Sequence, residues 1–195
     1  FHFGMERDID KAIKQLNISD FKVIDSCTAN GLPFFNVSGV GFDAHIAHLF
    51  ATTKVRGFSS YIKLVLRECA NYPAQDYTLE YDGKEKVYNA VIISWANATQ
   101  FGNGAQISPE SKVDDGLTEI CILKDFRRYL VPVLLYRLFT GKIQQSKYMT
   151  IIKTKSITIN CQDGQSHLDG ECHDLGKKIH IDTHPKTLNV FIPYG

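Results

Sequence analysis

The chain has 195 residues, 44% of them hydrophobic and 22% charged, enough apolar material for a core and too much for a disordered segment. Lys and Arg total 22 against 21 Asp and Glu, a net charge of +1. That balance argues against nucleic acid as the main partner and against a polybasic membrane anchor, and no apolar run nears the roughly 18 residues of a spanning helix.

The first residue is Phe1, and a helical pattern starts almost at once, so the chain reads as a piece of something longer. In residues 8–17, Ile9, Ala12, Ile13 and Leu16 form one apolar stripe, with Asp8 as N-cap. Residues 21–25 and 34–38 read as strands joined through the Asn30-Gly31 turn. Residues 59–71 read as a helix with Tyr61, Leu64, Val65 and Cys69 toward a core. Strands at 77–81 and 87–96 flank Asp82-Gly83, a strong hairpin signal. The run from Ala90 to Trp95 is apolar on both faces, so that strand should be central and covered.

Residues 99–115 form a long polar loop, followed by a strand at 117–123. Asp125 can cap a helix running to Phe139, with Pro132 as a kink or first-turn residue. Strands are then expected at 148–153, 156–161, 167–172, 178–182 and 187–192. The fold class is mainly β with some α: a sandwich of mostly antiparallel strands carrying two or three helices. A helical lead-in, residues 1–20, would precede a β-sandwich domain at 21–195.

The five cysteines Cys27, Cys69, Cys121, Cys161 and Cys172 are odd in number and widely spaced. Reduced thiols in the cytosol fit better than a disulfide framework, with Cys121 and Cys161 as small core residues. His167, Cys172, His173, His180 and His184 cluster late in the chain, yet match no zinc-finger spacing and read as surface strand residues. Gly39-Val40-Gly41 after a strand lacks the third glycine of a dinucleotide turn.

Two acidic stretches could carry chemistry. In His167-Leu168-Asp169-Gly170-Glu171 two carboxylates stand two residues apart on an extended segment, where one can serve as general base. Asp-Gly is also above all a turn dipeptide, and the plain turn is the stronger reading of these residues alone. In Lys112-Val113-Asp114-Asp115-Gly116-Leu117 a carboxylate before a glycine turn can combine with backbone oxygens around a hard cation, although a turn leading into the next strand is the simpler reading.

Taken in order, these pieces resemble the C-terminal part of the bacterial diacylglycerol kinase and lipid kinase family, which includes sphingosine kinase relatives. Phe3-Gly4-Met5 leading into Asp10-Lys11-Ala12-Ile13 resembles the segment after that family's nucleotide loop. The stretch Phe34-Phe35-Asn36-Val37-Ser38-Gly39-Val40-Gly41-Phe42-Asp43-Ala44 is similar to "F-x-N-x-x-G-x-G-F-D-A". The loop from Pro109 to Asp115-Gly116-Leu117 resembles "P-x-A … D-D-G-L", with Ser111 where Ala is usual, and Leu168-Asp169-Gly170-Glu171 resembles the catalytic "D-G-E".

The resemblance implies a β-sandwich domain that follows an α/β nucleotide domain bearing Gly-Gly-Asp-Gly-Thr. That motif is absent from this chain. It implies Glu171 as proton acceptor, Asp169 beside it, Asp25 assisting through water, and a structural Mg²⁺ on Asp115 with the carbonyls of Lys112 and Leu117. ATP would be bound mainly by the missing part, which leaves this piece inactive alone, and the other substrate would be a lipid with a free hydroxyl. The 12 phenylalanines could line its cleft, though most should be core. Peripheral contact with the inner membrane face and a homodimer through an edge strand fit the same reading. The alternative is a non-catalytic β-sandwich module that binds a lipid, a metal or a protein partner.

Overall fold

A computed structural model describes residues 4–6, 8–17, 19–53 and 57–193. Phe1 and Phe3, which begin the chain and its first family-like stretch, lie outside them. In chain order the elements are α1 (Ile9–Asn17), β1 (Ser19–Ala29), β2 (Leu32–Phe34), β3 (Val37–Gly41), α2 (Phe42–Thr52), α3 (Phe58–Cys69), β4 (Gln75–Tyr81) and β5 (Lys84–Ala96). Then come β6 (Thr118–Lys124), α4 (Val131–Phe139), β7 (Met149–Thr154), β8 (Ser156–Asn160), β9 (Gln165–Leu168), β10 (Glu171–Asp174) and β11 (Lys178–Pro193). No described helix is long and apolar enough to cross a membrane.

The strands form one curled antiparallel sheet in the order β10-β9-β3-β5-β4-β8-β11-β1-β2, with β6 and β7 branching from β5. This is the sandwich-like α+β architecture expected, with four α-helices among the described residues where two or three were expected. Strand alternation divides the core in two. Ile93 and Trp95 of β5 and Ile120 and Ile122 of β6 point into the curl, where they meet Ile157, Ile159, Ile179 and Ile181. Their neighbours Ile92, Cys121 and Leu123 point to the other face, against α2, α3 and α4, where a register shift between Ala90 and Ile92 also turns Val91. The β5 run is apolar on both faces because both faces are covered. The turn Asp82-Gly83 has φ of 49° and 69° and pairs Tyr81 with Lys84, the tight hairpin its sequence calls for.

Several boundaries differ from the sequence reading. β1 is 11 residues long and lies mainly against β11, with a register shift between Ile24 and Ser26. The Asn30-Gly31 turn pairs only Cys27–Ala29 with Leu32–Phe34, because a bend at Phe35-Asn36 sends Val37 onward to β5 and β9. The two strands expected at 178–182 and 187–192 are one, β11. The single strand expected at 167–172 is instead a hairpin. Asp125 caps no helix; its Oδ1 takes the Arg128 guanidinium at 3.1 Å, and Pro132 sits in the first turn of α4.

Asp8 does cap α1, accepting the Lys11 N–H at 3.1 Å. The stripe of that helix stays outside the core, with Ile9 76% exposed. All five cysteines are free thiols; Cys121 is buried, whereas Cys161 is half-buried just beyond β8. α2 was not expected from the sequence. Its apolar spacing Phe42, Ile46 and Phe50 is helical, but Gly41 precedes it without any side-chain cap, so the usual start signal is missing.

Gly41 has φ of 94°, and a Cβ there would meet the Val91 carbonyl at 2.6 Å. Backbone opposes backbone at that point and neither can yield. Gly41→Ala is expected to lower stability by roughly 2–3 kcal/mol, read as a lower urea midpoint at unchanged slope.

Candidate active site: an apolar cavity with an acidic end

The helices on the outer face enclose a cavity of about 490 Å³. Its walls are mainly apolar: Phe42, Ile46 and Phe50 of α2, Val65 of α3, and Leu134 and Leu138 of α4. Five of the phenylalanines, Phe42, Phe50, Phe101, Phe126 and Phe139, line it. Such a space takes a greasy ligand and fixes it with a few polar groups.

Those polar groups converge at one end. Asp43 stands in the first turn of α2, where a carboxylate complements the helix N-terminus. Its Oδ2 accepts the Ser94 hydroxyl at 2.7 Å and faces His167 Nε2 at 3.3 Å, and its Oδ1 accepts the Ala44 N–H at 2.9 Å. Gly39 makes this possible, since a Cβ there would lie 2.6 Å from Asp43 Oδ2. His167 is 4% exposed, and its Nδ1 accepts the Gly170 N–H at 3.3 Å. The ring is therefore assigned the tautomer with its hydrogen on Nε2, toward Asp43. The Asp43 charge is felt in the cavity: burial first, then Asp43, pushes the Tyr61 phenol up to about 12.

Glu171 lines the same cavity together with Gly170 and Cys172. The Asp169-Gly170 pair is a tight turn with φ of 50° and 92°, joining Leu168 to Glu171 across β9 and β10. The two carboxylates thus do not share one side of an extended strand, as the sequence spacing suggested. The Asp169 carboxylate accepts the Phe35 N–H at 2.8 Å and the Asn36 N–H at 2.9 Å. Asp169 anchors the turn while Glu171 follows it on the cavity rim.

Asp25 does not line the cavity. It is fully buried at the β1 register shift, and its carboxylate accepts the N–H groups of Gly116 at 2.6 Å and Lys186 at 2.8 Å. Its own N–H donates to the Val113 carbonyl at 2.7 Å, so it fixes the loop that holds Asp115. In that loop Asp114 pairs with Lys22 at 2.9 Å, and exposed Asp115 accepts the Leu117 N–H at 3.1 Å. The late histidines are dispersed: His180 pairs with Asp182 and His184 bonds Thr28, and no group of three metal-capable side chains occurs among the described residues.

A family model described as the YegS C-terminal NAD kinase beta sandwich-like domain matches residues 36–192. The chain belongs to that family. It is 24% identical over 194 residues to a "Probable lipid kinase YegS-like" of Shewanella frigidimarina, covering 97% of this chain and 62% of that protein. A relative of the same name from Yersinia enterocolitica is 26% identical over 193 residues, covering 95% and 62%. The chain thus spans less than two thirds of the length of these relatives. A crystal structure of a diacylglycerol kinase from Bacillus anthracis str. Sterne superposes with a TM-score of 0.67 at 18% identity, over 100% of this chain and 61% of that one.

Asp43 and Ser94 have no assigned role in the sequence reading, and His167, read there as a surface strand residue, is buried instead. Asp43 lay inside the quoted "G-F-D-A" stretch and His167 two residues before Asp169, but only the fold reveals that they meet. Cys172 reports on this end of the cavity. Burial first, then the Glu171 charge, raises its thiol pKa. Removing that charge in Glu171→Gln should move the pH–rate curve for Cys172 alkylation to lower pH. An unmoved curve would separate Glu171 from the cavity rim.

Proposed function

We propose that this chain is the substrate-side domain of an ATP-dependent lipid kinase that phosphorylates the hydroxyl of a diacylglycerol-like lipid. The observation that carries this reading is a carboxylate, Glu171, on the rim of an apolar cavity whose polar end is Asp43 and His167. A lipid alcohol is a weak nucleophile at neutral pH. Glu171 takes its proton as the oxygen attacks the γ-phosphorus and ADP departs. Asp169 positions the turn that presents Glu171.

The rest of the phosphoryl-transfer machinery, and the bulk of the ATP site, belongs to protein outside this chain, in keeping with relatives of which it spans 62%. Mg²⁺ fits the loop at Asp115: one exposed carboxylate and the carbonyls of Lys112 and Leu117 are oxygen donors of the kind a partly hydrated Mg²⁺ accepts. Asp25 contributes by fixing that loop through Gly116. An ion held there would supply charge and loop order rather than a step of the reaction.

Glu171→Gln in the longer protein that unites this domain with its nucleotide part is expected to lower kcat by about 10²–10⁴. The melting temperature and the KM for ATP should hardly change. Turnover within a few-fold of wild type would remove Glu171 as base. Asp115→Asn is expected to raise the Mg²⁺ concentration needed to protect the loop from limited proteolysis, and an unchanged requirement would take the ion away from this loop.

A further inference from the structure

The cavity is open at one end and closed at the other. At the acidic end Gly170 and Glu171 line it and are exposed. At the opposite end Ile143 and Met149 line it and are only 2% and 7% exposed. Between these ends the floor follows one rung of the sheet. Ile92 of β5 lies directly opposite Leu123 of β6, and Leu123 opposite Met149 of β7. On the other side Gly41 of β3 pairs with Ile92, while Gly39, two residues back, pairs with His167 of β9.

A ligand with its head at His167 and its tail at Met149 therefore crosses from β9 over β3, β5 and β6 to β7. Four strand spacings amount to about 19 Å. One acyl chain in a bilayer leaflet covers about 15 Å, half of the hydrocarbon thickness. The volume leads to the same count. A methylene takes about the room of a water molecule, ~30 Å³, so a cavity of about 490 Å³ takes roughly sixteen of them. A second chain of equal length would need that space again. The side walls do not offer it, because Phe42, Ile46 and Leu134 are themselves buried against the sheet.

We propose that the cavity takes one alkyl chain of about sixteen carbons, tail at Ile143 and Met149, and that the lipid it serves is a single-chain alcohol such as a monoacylglycerol. The proposal rests on the lipid-kinase reading and narrows its diacylglycerol-like substrate to one chain. The closed end measures the chain, and the open end leaves the hydroxyl beside Glu171.

The test offers the chain an equimolar mixture in nonionic detergent micelles: monoacylglycerols with chains of even length from octanoyl to docosanoyl, and dipalmitoylglycerol. The protein is re-isolated and the lipid it retains is identified by mass spectrometry. Retention should peak near palmitoyl, and monopalmitoylglycerol should exceed dipalmitoylglycerol about tenfold, since the unaccommodated chain loses its apolar burial. Ile143→Ala with Met149→Ala deepens the closed end and should move the peak about two to four carbons longer; Ile143→Phe should move it shorter by a similar amount. Circular dichroism of each variant verifies that a changed profile is not a lost fold. A flat length profile, equal retention of the two-chain lipid, no retention of any lipid, or a peak that stays in place in both variants would overturn the proposal. Retention needs no turnover, so a lost length preference is distinguishable from a failure of the Glu171→Gln result.

Discussion

The acidic end of the cavity depends on one small clasp, the carboxylate of Asp169 on the N–H groups of Phe35 and Asn36. The hairpin that carries Glu171 has four residues in each strand, and β10 is the last strand at its end of the sheet order. So short a hairpin has little packing of its own. An ionised acceptor gripping two amides is among the stronger hydrogen-bond arrangements, and it sets where the turn sits. The clasp continues inward. Asn97 donates its side-chain amide to the carbonyls of Phe35 and Asp25, and Asp25 in turn fixes Gly116. One connected chain of bonds therefore joins the turn before Glu171 to the loop bearing Asp115.

What could be read from the sequence follows from which features are local. The Asp82-Gly83 hairpin, the two-faced β5 and the amphipathic α3 are each specified by a few adjacent residues, and all three are present. The errors are non-local. Nothing near Phe35 signals that the chain bends there, because the bend is held by Asp169, more than 130 positions away. The same distance hides the pairing of Asp43 with His167. The family-like order of motifs pointed to Glu171 and Asp115, but it could not tell that Asp169 would be spent on amides or that Asp25 would lie buried beneath a loop.

Division of the core explains why a cavity exists at all. Inside the curl, sheet faces sheet and β-branched side chains interlock with almost no exposure. On the outer face three helices cover a sheet segment built from β3, β5 and β6, and their side chains meet across a wider gap. Cylinders laid on a twisted sheet leave space between their axes, and here that space is lined by phenylalanine and leucine rather than filled. Apolar lining without filler is a loss of contacts that a binding function can explain and stability cannot.

The largely covered Asp43, its side chain 9% exposed, is consistent with that function and places a limit on it. A carboxylate withdrawn from water is tolerable only when its lone pairs are met, and Ser94, Ala44 and His167 meet them. His167 has no acceptor to spare, since its Nδ1 is taken by Gly170. Asp43 and Glu171 make this end of the cavity rich in acceptors and negative charge, with no Lys or Arg among the lining residues. A neutral hydroxyl, which brings a proton to donate, suits such an end; a phosphate does not. On the lipid-kinase reading, Glu171 receives the alcohol, and its charge together with that of Asp43 disfavours the phosphate ester the alcohol becomes.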